Sequence, residues 1–153
     1  MGKFYYSAKI DEKKNKNLKI TVIVSQWNKS ITSNLLKDTI KTLEKNGIKE
    51  TNISVIKVPG SFELIFAAKK ISKSKKTDAI IVIGCIIKGE TPHFEFISNS
   101  VTIGIKDLNI LFETPVIFGV LTTQNLEEAK KRSSGKTNKG REFAISAIEM
   151  IKI

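Results

Sequence analysis

The stretch from Asp78 to Phe94, DAIIVIGCIIKGETPHF, constrains the fold more than any other part of the sequence. It opens with a long apolar run rich in Ile and Val, which is typical of a strand buried on both faces of a parallel sheet. The residues KGETP that follow indicate a strand that turns into a helix. Backbone N–H groups at a helix start favour an anion. The stretch therefore predicts a central strand with an anion site at its end, next to the only histidine of the chain, His93.

Three more strand patterns and five helix patterns are arranged around this stretch. Strands are predicted at residues 18–25, 53–58 and 116–121. Helices are predicted at residues 31–47, 61–74, 93 to about 111, 125–132 and from 138 onwards, because apolar residues recur at helical spacing or a capping pattern begins the segment. Asn28 or Ser30 would cap the first of these helices, Asn125 with Glu128 the fourth, and Asn138 the last. Residues 133–137, SSGKT, are expected to form a flexible link.

The alternation of strands and helices defines the fold class. Each connection between successive strands is long enough for a right-handed crossover. We therefore predict an α/β fold with three αβα layers and a doubly wound, four-stranded parallel sheet. Residues 1–153 are expected to form a single domain. Within residues 1–17, the apolar Phe4 to Tyr6 indicate either a short edge strand or a strand that pairs with a neighbouring subunit, and the polar run after them indicates a surface loop.

The charge balance does not by itself point to nucleic acid. The formal net charge is +11, but all except two of the 26 basic residues are lysines, scattered through the predicted helices and loops. A recognition face for nucleic acid ordinarily uses arginine forks, so we expect no nucleic-acid partner, although a positive field would attract anionic substrates. The single cysteine excludes an internal disulfide, and no apolar segment approaches the roughly 18 residues of a membrane span. We expect a cytoplasmic protein without a membrane partner.

The glycines at positions 84 and 89 have the spacing of a nucleotide-binding P-loop. However, Glu90 occupies the position that requires a lysine, and a carboxylate there would repel the terminal phosphates of a nucleotide. Nucleotide hydrolysis is therefore not expected. Two interpretations of this turn remain, namely an anion site suited to one phosphate group and an ordinary tight connection between a strand and a helix.

Ligands of doubly wound sheets bind beyond the carboxyl ends of the strands, and the remaining candidates lie at such ends. His93 would exchange protons near neutral pH, or would serve only as a polar helix cap. Trp27 would stack on a planar heterocycle, or would fill the core at the end of the first strand. Glu63 would bind the hydroxyls of a polyol, or would only favour the first turn of its helix. A metal site is not expected, because there is no second histidine.

Taken together, these pieces resemble the lumazine synthase family. The matching motifs are Trp27-Asn28, VPGSFE at 58–63, the 78–94 stretch, FGVLTT at 118–123, and Arg132 with NKG at 138–140. They cover nearly the whole chain from Leu18, in order. The resemblance implies a flavodoxin-like fold and a transferase-type enzyme of riboflavin biosynthesis. This enzyme would condense 5-amino-6-(D-ribitylamino)uracil with 3,4-dihydroxy-2-butanone 4-phosphate to give 6,7-dimethyl-8-ribityllumazine, phosphate and water, without a metal or redox cofactor.

The resemblance also implies roles for individual residues. The pyrimidine and ribityl groups would be bound by Trp27, Asn28, Gly60, Ser61, Phe62, Glu63, Ile86, Ile87 and Phe118. The phosphate would be bound by Gly89, Glu90, Thr91 and Arg132, and His93 would be the catalytic residue that transfers protons. Phe118, Arg132 and Lys139 would come from the neighbouring subunit of a homo-pentamer or of an icosahedral 60-mer. Riboflavin synthase would be a further partner.

The sequence departs from the family's pattern at two places. Pro92 stands where some relatives have a threonine, which removes one hydroxyl and one N–H from the anion site, but proline is well tolerated at a helix start. The 133–137 link is slightly shorter than in some relatives and favours the 60-mer over the free pentamer. Two hypotheses from other classes stay open: a non-catalytic flavin or phosphoribityl binding module of the same fold, and a basic nucleic-acid binder.

Overall fold

The computed structural model describes residues 12–153, without the side chain of Glu12. Its strands are β1 (Ile20–Ser25), β2 (Ile53–Val58), β3 (Ala79–Ile87) and β4 (Val116–Thr123). Its helices are α1 (Glu12–Asn15), α2 (Lys29–Lys45), α3 (Glu63–Ser74), α4 (His93–Leu111), α5 (Leu126–Arg132) and α6 (Gly140–Met150). Two 3-10 turns, Glu50–Asn52 and Gly135–Thr137, complete the element order.

The four strands form one parallel sheet in the order β2-β1-β3-β4. This order confirms the α/β, doubly wound, four-stranded sheet predicted from the sequence, and it is the flavodoxin-like order. The chain moves outward from β1 to β2 on one side and from β3 to β4 on the other. The order therefore reverses between β1 and β3, and ligands of such sheets bind at that reversal, beyond the carboxyl ends of the strands.

Helices cover both faces of the sheet and produce the three predicted layers. On one face, α2, α5 and α6 contribute Ile31, Leu35, Leu43, Ala129, Ala144, Ala147 and Ile148 to a core that includes Val22, Ile81 and Cys85. On the other face, α3 and α4 contribute Leu64, Ala68, Val101, Ile105 and Leu108 to a core that includes Ile23, Ile80 and Val82. Strand β3 is buried from Ala79 through Cys85, as its apolar run predicted.

Helices α2 and α6 approach each other closely at Gly140. A Cβ atom on Gly140 would lie 2.4 Å from the Leu35 carbonyl oxygen and 2.9 Å from the Thr39 nitrogen. The Thr39 hydroxyl also donates to the Gly140 carbonyl at 3.1 Å. Only a residue without a side chain fits this contact, which fixes the start of α6 against α2.

Two segments differ from the sequence predictions. Residues 12–15 form a short helix rather than a loop, because the buried Asn15 donates its amide to the Asn46 carbonyl at 2.8 Å. The prediction for Phe4 to Tyr6 lies outside the described residues. The 133–137 link is not loose, since it contains a 3-10 turn and the Ser134 hydroxyl donates to the Lys130 carbonyl at 2.8 Å.

One of the predicted helix caps is confirmed by hydrogen bonds. The Asn125 side chain accepts from the Glu128 N–H at 2.9 Å, and the Glu128 carboxylate accepts in return from the Gln124 N–H at 3.1 Å. The Asn138 side chain accepts from the Gly140 N–H at 2.9 Å, but α6 starts at Gly140 and its N-cap position is Lys139, so the prediction of Asn138 as N-cap was wrong. Asn28 does occupy the position before α2, but its side chain accepts no capping bond within the described chain, and α2 starts at Lys29.

Candidate active site

A cleft of about 740 Å³ lies at the carboxyl ends of β1, β2 and β3, where the strand order reverses. Its lining residues are Trp27, Asn28, Gly60, Ser61, Phe62, Glu63, Cys85, Ile86, Ile87, Gly89, Thr91, His93, Phe94, Ile97 and Leu126. The structure thus brings together the motifs after the first three strands, which are far apart in sequence. Because parallel strands end at one edge of the sheet, the topology alone places these motifs side by side.

The first wall of the cleft is the loop after β1. Trp27 is 73% exposed, so it is not the core plug that the sequence left open as an alternative. Its backbone N–H donates to the Pro59 carbonyl at 3.0 Å, which ties this loop to the turn after β2. A large flat side chain at the opening of a cleft is suited to stacking on a planar ring.

The second wall is the turn after β2, residues 59–63. The Glu63 carboxylate accepts the Gly60 N–H through Oε2 at 2.8 Å, so it caps its own turn and keeps its second oxygen for another partner. Ser61 is buried, and a Cβ on Gly84 would lie 2.6 Å from the Ser61 hydroxyl oxygen. Because Gly84 on β3 has no side chain, it leaves room for the Ser61 side chain beside the cleft.

The third wall is the end of β3 and the start of α4. The Lys88 N–H donates to the Thr123 carbonyl at 2.9 Å, and the chain then leaves the sheet at Gly89, where a Cβ would meet no described atom within 4 Å. Helix α4 begins at His93, and the N–H groups of a first helical turn have no carbonyl within the helix to bind. Gly89, Thr91 and His93 are all exposed, so a ligand can reach this helix start.

Cys85 also lines the cleft, but it is not a nucleophile. Burial raises the pKa of its thiol from an ordinary 9.0 to about 11. The thiol is therefore protonated at neutral pH, and only the thiolate is strongly nucleophilic. Its backbone is what faces the neighbouring loop, because the Cys85 carbonyl accepts the Asn28 side-chain amide at 2.9 Å.

Arg132 and Lys139 do not belong to the cleft of this chain. Together with Lys131, Lys136, Thr137 and Glu142 they line a separate depression of about 250 Å³. Arg132 donates to the Glu128 carbonyl at 3.2 Å, and the Lys139 ammonium pairs with the Glu142 carboxylate at 2.7 Å. We name these six residues the basic depression. The cleft and the basic depression share no lining residue.

Two further residues predicted for the site also lie outside the described lining of the cleft, namely Glu90 and Phe118. Glu90 is exposed in the turn before α4. Phe118 is 39% exposed on β4, at the edge of the sheet, where it pairs with Val82. A single chain therefore brings together most of the residues predicted after three strand ends, but not Phe118, Arg132 and Lys139.

Sequence reasoning missed several residues that contribute to these surfaces. Phe94 and Ile97, in the first half of α4, both line the cleft. Leu126 reaches the cleft from the first position of α5, and no sequence pattern marks it. Glu142 stands three residues after Lys139, a spacing that signals an ion pair on one helix face and could have been noticed.

Among residues 12–153, no group of three or more His, Cys, Asp and Glu side chains is arranged to hold a metal ion. In the same range, no helix combines the length and the apolar character that are needed to cross a membrane.

The fold and the cleft define a flavodoxin-like α/β protein with a cleft of small-molecule size at its strand-order reversal, with an aromatic wall on one side and an anion-suited helix start on the other. Residues 17–153 match the family model described as 6,7-dimethyl-8-ribityllumazine synthase. The chain belongs to this family of riboflavin biosynthesis enzymes, which confirms the resemblance read from its motifs. The family implies small-molecule substrates and an oligomeric assembly.

Curated relatives agree with this assignment. The chain is similar to the 6,7-dimethyl-8-ribityllumazine synthase of Bacteroides fragilis, with 50% identity over 88% of this chain and 94% of the relative. It is also similar to the proteins of the same name from Parabacteroides distasonis, with 47% identity over 88% and 84% of the two chains, and from Cytophaga hutchinsonii, with 48% identity over 85% and 82%.

Proposed function

We propose that this chain condenses 5-amino-6-(D-ribitylamino)uracil with 3,4-dihydroxy-2-butanone 4-phosphate to give 6,7-dimethyl-8-ribityllumazine, phosphate and water. The observation that carries the proposal is the cleft itself. It joins an exposed tryptophan, a polar turn and the helix start at His93 within about 740 Å³. This volume falls in the range of small-molecule sites, and each wall suits a different part of the two substrates.

The pyrimidine and its ribityl chain would occupy the two walls formed after β1 and β2. Trp27 would stack on the pyrimidine, and the main chain of Ile86 and Ile87 would contact the edge of the ring. Ser61, the free oxygen of Glu63 and the backbone around Gly60 and Phe62 would bind the ribityl hydroxyls. The bond between Glu63 and the Gly60 N–H supports this role, because it fixes the carboxylate beside the cleft at 2.8 Å from that nitrogen.

The phosphate would lie at the start of α4. Gly89, Glu90 and Thr91 would surround it mainly through backbone N–H groups and the threonine hydroxyl, since the Glu90 carboxylate has the wrong sign to attract it. Lysine and arginine are absent from the described lining of the cleft. A cation must therefore come from elsewhere, and the guanidinium of Arg132 has the planar fork that matches a phosphate.

His93 would transfer the protons of the reaction. The amine of the pyrimidine attacks the ketone carbonyl, and loss of water gives an imine. Removal of a carbon-bound proton then expels the phosphate and leaves an enol, which becomes a ketone by proton transfer. The ribityl-bearing amine attacks this ketone, and loss of a second water closes the lumazine ring. An exposed imidazole at the start of α4, next to the proposed phosphate position, can accept and return these protons.

The active site would be shared between neighbouring copies of the chain. Phe118, Arg132 and Lys139 would be supplied by the adjacent subunit, because in one chain they lie outside the cleft. Large apolar side chains exposed on α3 and α4 support a homo-oligomer, since an isolated chain would leave them in water. They are Phe66, Phe96, Ile103, Ile110 and Leu111.

The remaining expectations rest on the family resemblance. We propose a pentamer, or an icosahedral 60-mer built from pentamers, and the short 133–137 segment favours the larger particle. Association with riboflavin synthase, which would use the product, and a cytoplasmic location belong to the same proposal. Light scattering on the native particle separates a pentamer from a 60-mer, and a monomer would contradict the shared site.

The proposed reaction is tested by mixing the two substrates with the purified protein and following lumazine fluorescence. The shared site is tested by assembling His93→Ala and Arg132→Ala chains together from equal amounts. If the two residues act from different subunits, roughly a quarter of the sites in the mixed particles recover both side chains and activity returns. If both act within one chain, the mixture stays as inactive as the separate variants. Absence of lumazine with tight flavin binding would instead favour the non-catalytic binding module.

A further inference from the structure

Asn28 differs from the other cleft residues in its backbone conformation. Its φ and ψ angles are 55° and 44°, in the left-handed region, where Lys75 is the only other non-glycine residue of the described chain with a positive φ. Asparagine tolerates this region better than most residues. Asn28 also occupies the position before α2, where an asparagine side chain ordinarily accepts a bond from its own helix. Its side chain accepts no such bond within the described residues.

The side chain of Asn28 bonds instead to the neighbouring strand. Its Nδ2 donates to the Cys85 carbonyl at 2.9 Å. The pairing of β1 with β3 ends at Val24 and Ile83, before Cys85 is reached. The amide therefore supplies a hydrogen-bond donor to a carbonyl that β1 itself no longer reaches. The left-handed backbone is what turns the side chain away from α2 and towards β3.

Trp27 lies between this bond and a second set of bonds to the turn after β2. The Gln26 N–H donates to the Val58 carbonyl at 2.9 Å, and the Trp27 N–H donates to the Pro59 carbonyl at 3.0 Å. Among the bonds of residues 12–153, the loop is thus tied to β2 and the turn after it through its backbone, and to β3 through Asn28. Because the Trp27 side chain is 73% exposed, packing of the indole against this chain contributes little to holding it in place.

We infer that Asn28 is a positioning residue for Trp27 and acts through the Cys85 carbonyl, in place of the direct substrate contact that the family resemblance implied for it. The Asn28 amide ties the loop to β3, so the backbone that carries Trp27 is held in place and the indole can stack on the pyrimidine. This inference rests on the proposed function only in taking the pyrimidine as the group that Trp27 meets. The anchoring itself is a property of the unliganded protein.

The Asn28→Gly variant tests this inference, because glycine permits the left-handed backbone without strain and removes the amide. Trp27 is the only tryptophan, so its emission anisotropy reports the mobility of this one side chain on the nanosecond timescale. We expect the anisotropy of the unliganded variant to fall. The KM for the ribitylaminopyrimidine should rise about 3- to 10-fold, the effect of one lost hydrogen bond, while the KM for the phosphate substrate stays unchanged.

Two further variants complete the design. Asn28→Asp keeps a residue that tolerates the left-handed region but cannot donate to a carbonyl, so it should reproduce the glycine result if the glycine variant folds poorly. Gln26→Ala is the matched control, because it changes an exposed neighbour of Trp27 and leaves the backbone bond to Val58 in place. It should behave as the unaltered protein in both measurements.

Several outcomes would overturn the inference. A higher KM with unchanged anisotropy would mean that Asn28 touches the substrate directly. Lower anisotropy with unchanged KM would mean that Trp27 needs no fixed position, and an equal rise of both KM values would indicate general disruption of the cleft. Failure of the unaltered protein to make lumazine would contradict the proposed function. The anisotropy of the unliganded variants would still decide whether Asn28 anchors the loop.

Discussion

The cleft and the basic depression are built in different ways. The cleft is formed where three parallel strands end, and a backbone hydrogen bond joins its first two walls, from the Trp27 N–H to the Pro59 carbonyl at 3.0 Å. The basic depression is formed on α5, α6 and the segment between them, away from those strand ends. The sheet topology therefore assembles one half of the proposed site within a chain and leaves the other half on a separate surface.

The two regions also differ in charge. Among the described residues that line the cleft, Glu63 is the one carboxylate and no lysine or arginine is present. The basic depression is lined by Lys131, Arg132, Lys136 and Lys139 against the single carboxylate of Glu142. An anionic substrate that enters the cleft therefore finds backbone dipoles but no cation, and the basic depression of an adjacent subunit would supply what the cleft lacks.

The largest expected effect belongs to the cleft and is the loss of His93. Because general acid–base catalysis contributes about 10²- to 10⁴-fold, His93→Ala should lower kcat by that order while both KM values change little. Steady-state kinetics with both substrates measures this. Asn99→Ala, at an exposed position further along α4, is the control and should retain full activity. A normal kcat of the His93→Ala enzyme would show that His93 does not transfer the protons of the reaction.

The second effect belongs to the basic depression and concerns KM rather than kcat. Arg132→Ala should raise the KM for the phosphate substrate about 10- to 100-fold, because a charge-assisted, two-pronged contact to phosphate is lost. The KM for the pyrimidine should stay the same. Arg141→Ala is the matched control, since it removes the other arginine of the chain from an exposed position outside the basic depression. Equal effects of the two substitutions would mean that only the net charge matters.

Features that lie next to the end of a strand could be predicted from the sequence. Strand β3 and the turn after it were predictable because a long apolar run followed by glycine and a helix start has few other solutions. The convergence of Trp27, Glu63 and His93 followed from topology, since parallel strands end at one edge. Both arguments concern residues that lie next to a strand end.

Other features depend on distances that no local pattern encodes. The bond from Asn28 to the Cys85 carbonyl joins residues 57 positions apart, and it needs a left-handed residue where a conventional helix cap was expected. Leu126 reaches the cleft only because α5 packs over the end of the sheet. The separation of Arg132 from His93 was implied by the family resemblance and could not be derived from the order of the residues in the chain.

The third effect tests whether the basic depression depends on helix packing. Gly140→Ala should lower the free energy of unfolding by about 1–3 kcal/mol, because the new methyl group meets the backbone of Leu35 and Thr39 and must push α6 away from α2. Thermal unfolding measures this, with Ser146→Ala on α6 as the control. The emission anisotropy of Trp27 should not change, since the cleft is built on other elements. A changed anisotropy would show that the two regions are coupled within one chain.

The smallest effect concerns the ion pair inside the basic depression. Glu142→Gln removes the carboxylate that holds the Lys139 ammonium at 2.7 Å in a partly buried pair. If Glu142 orients Lys139, kcat should fall about 2- to 5-fold, the range of a weak ion pair, and the KM for the phosphate substrate should not rise, because a negative charge has left the region. Glu127→Gln is the matched control. It breaks the pair with Lys130, which has the same spacing and is more exposed. A lower KM with unchanged kcat would mean that Glu142 acts through its charge alone and does not orient Lys139.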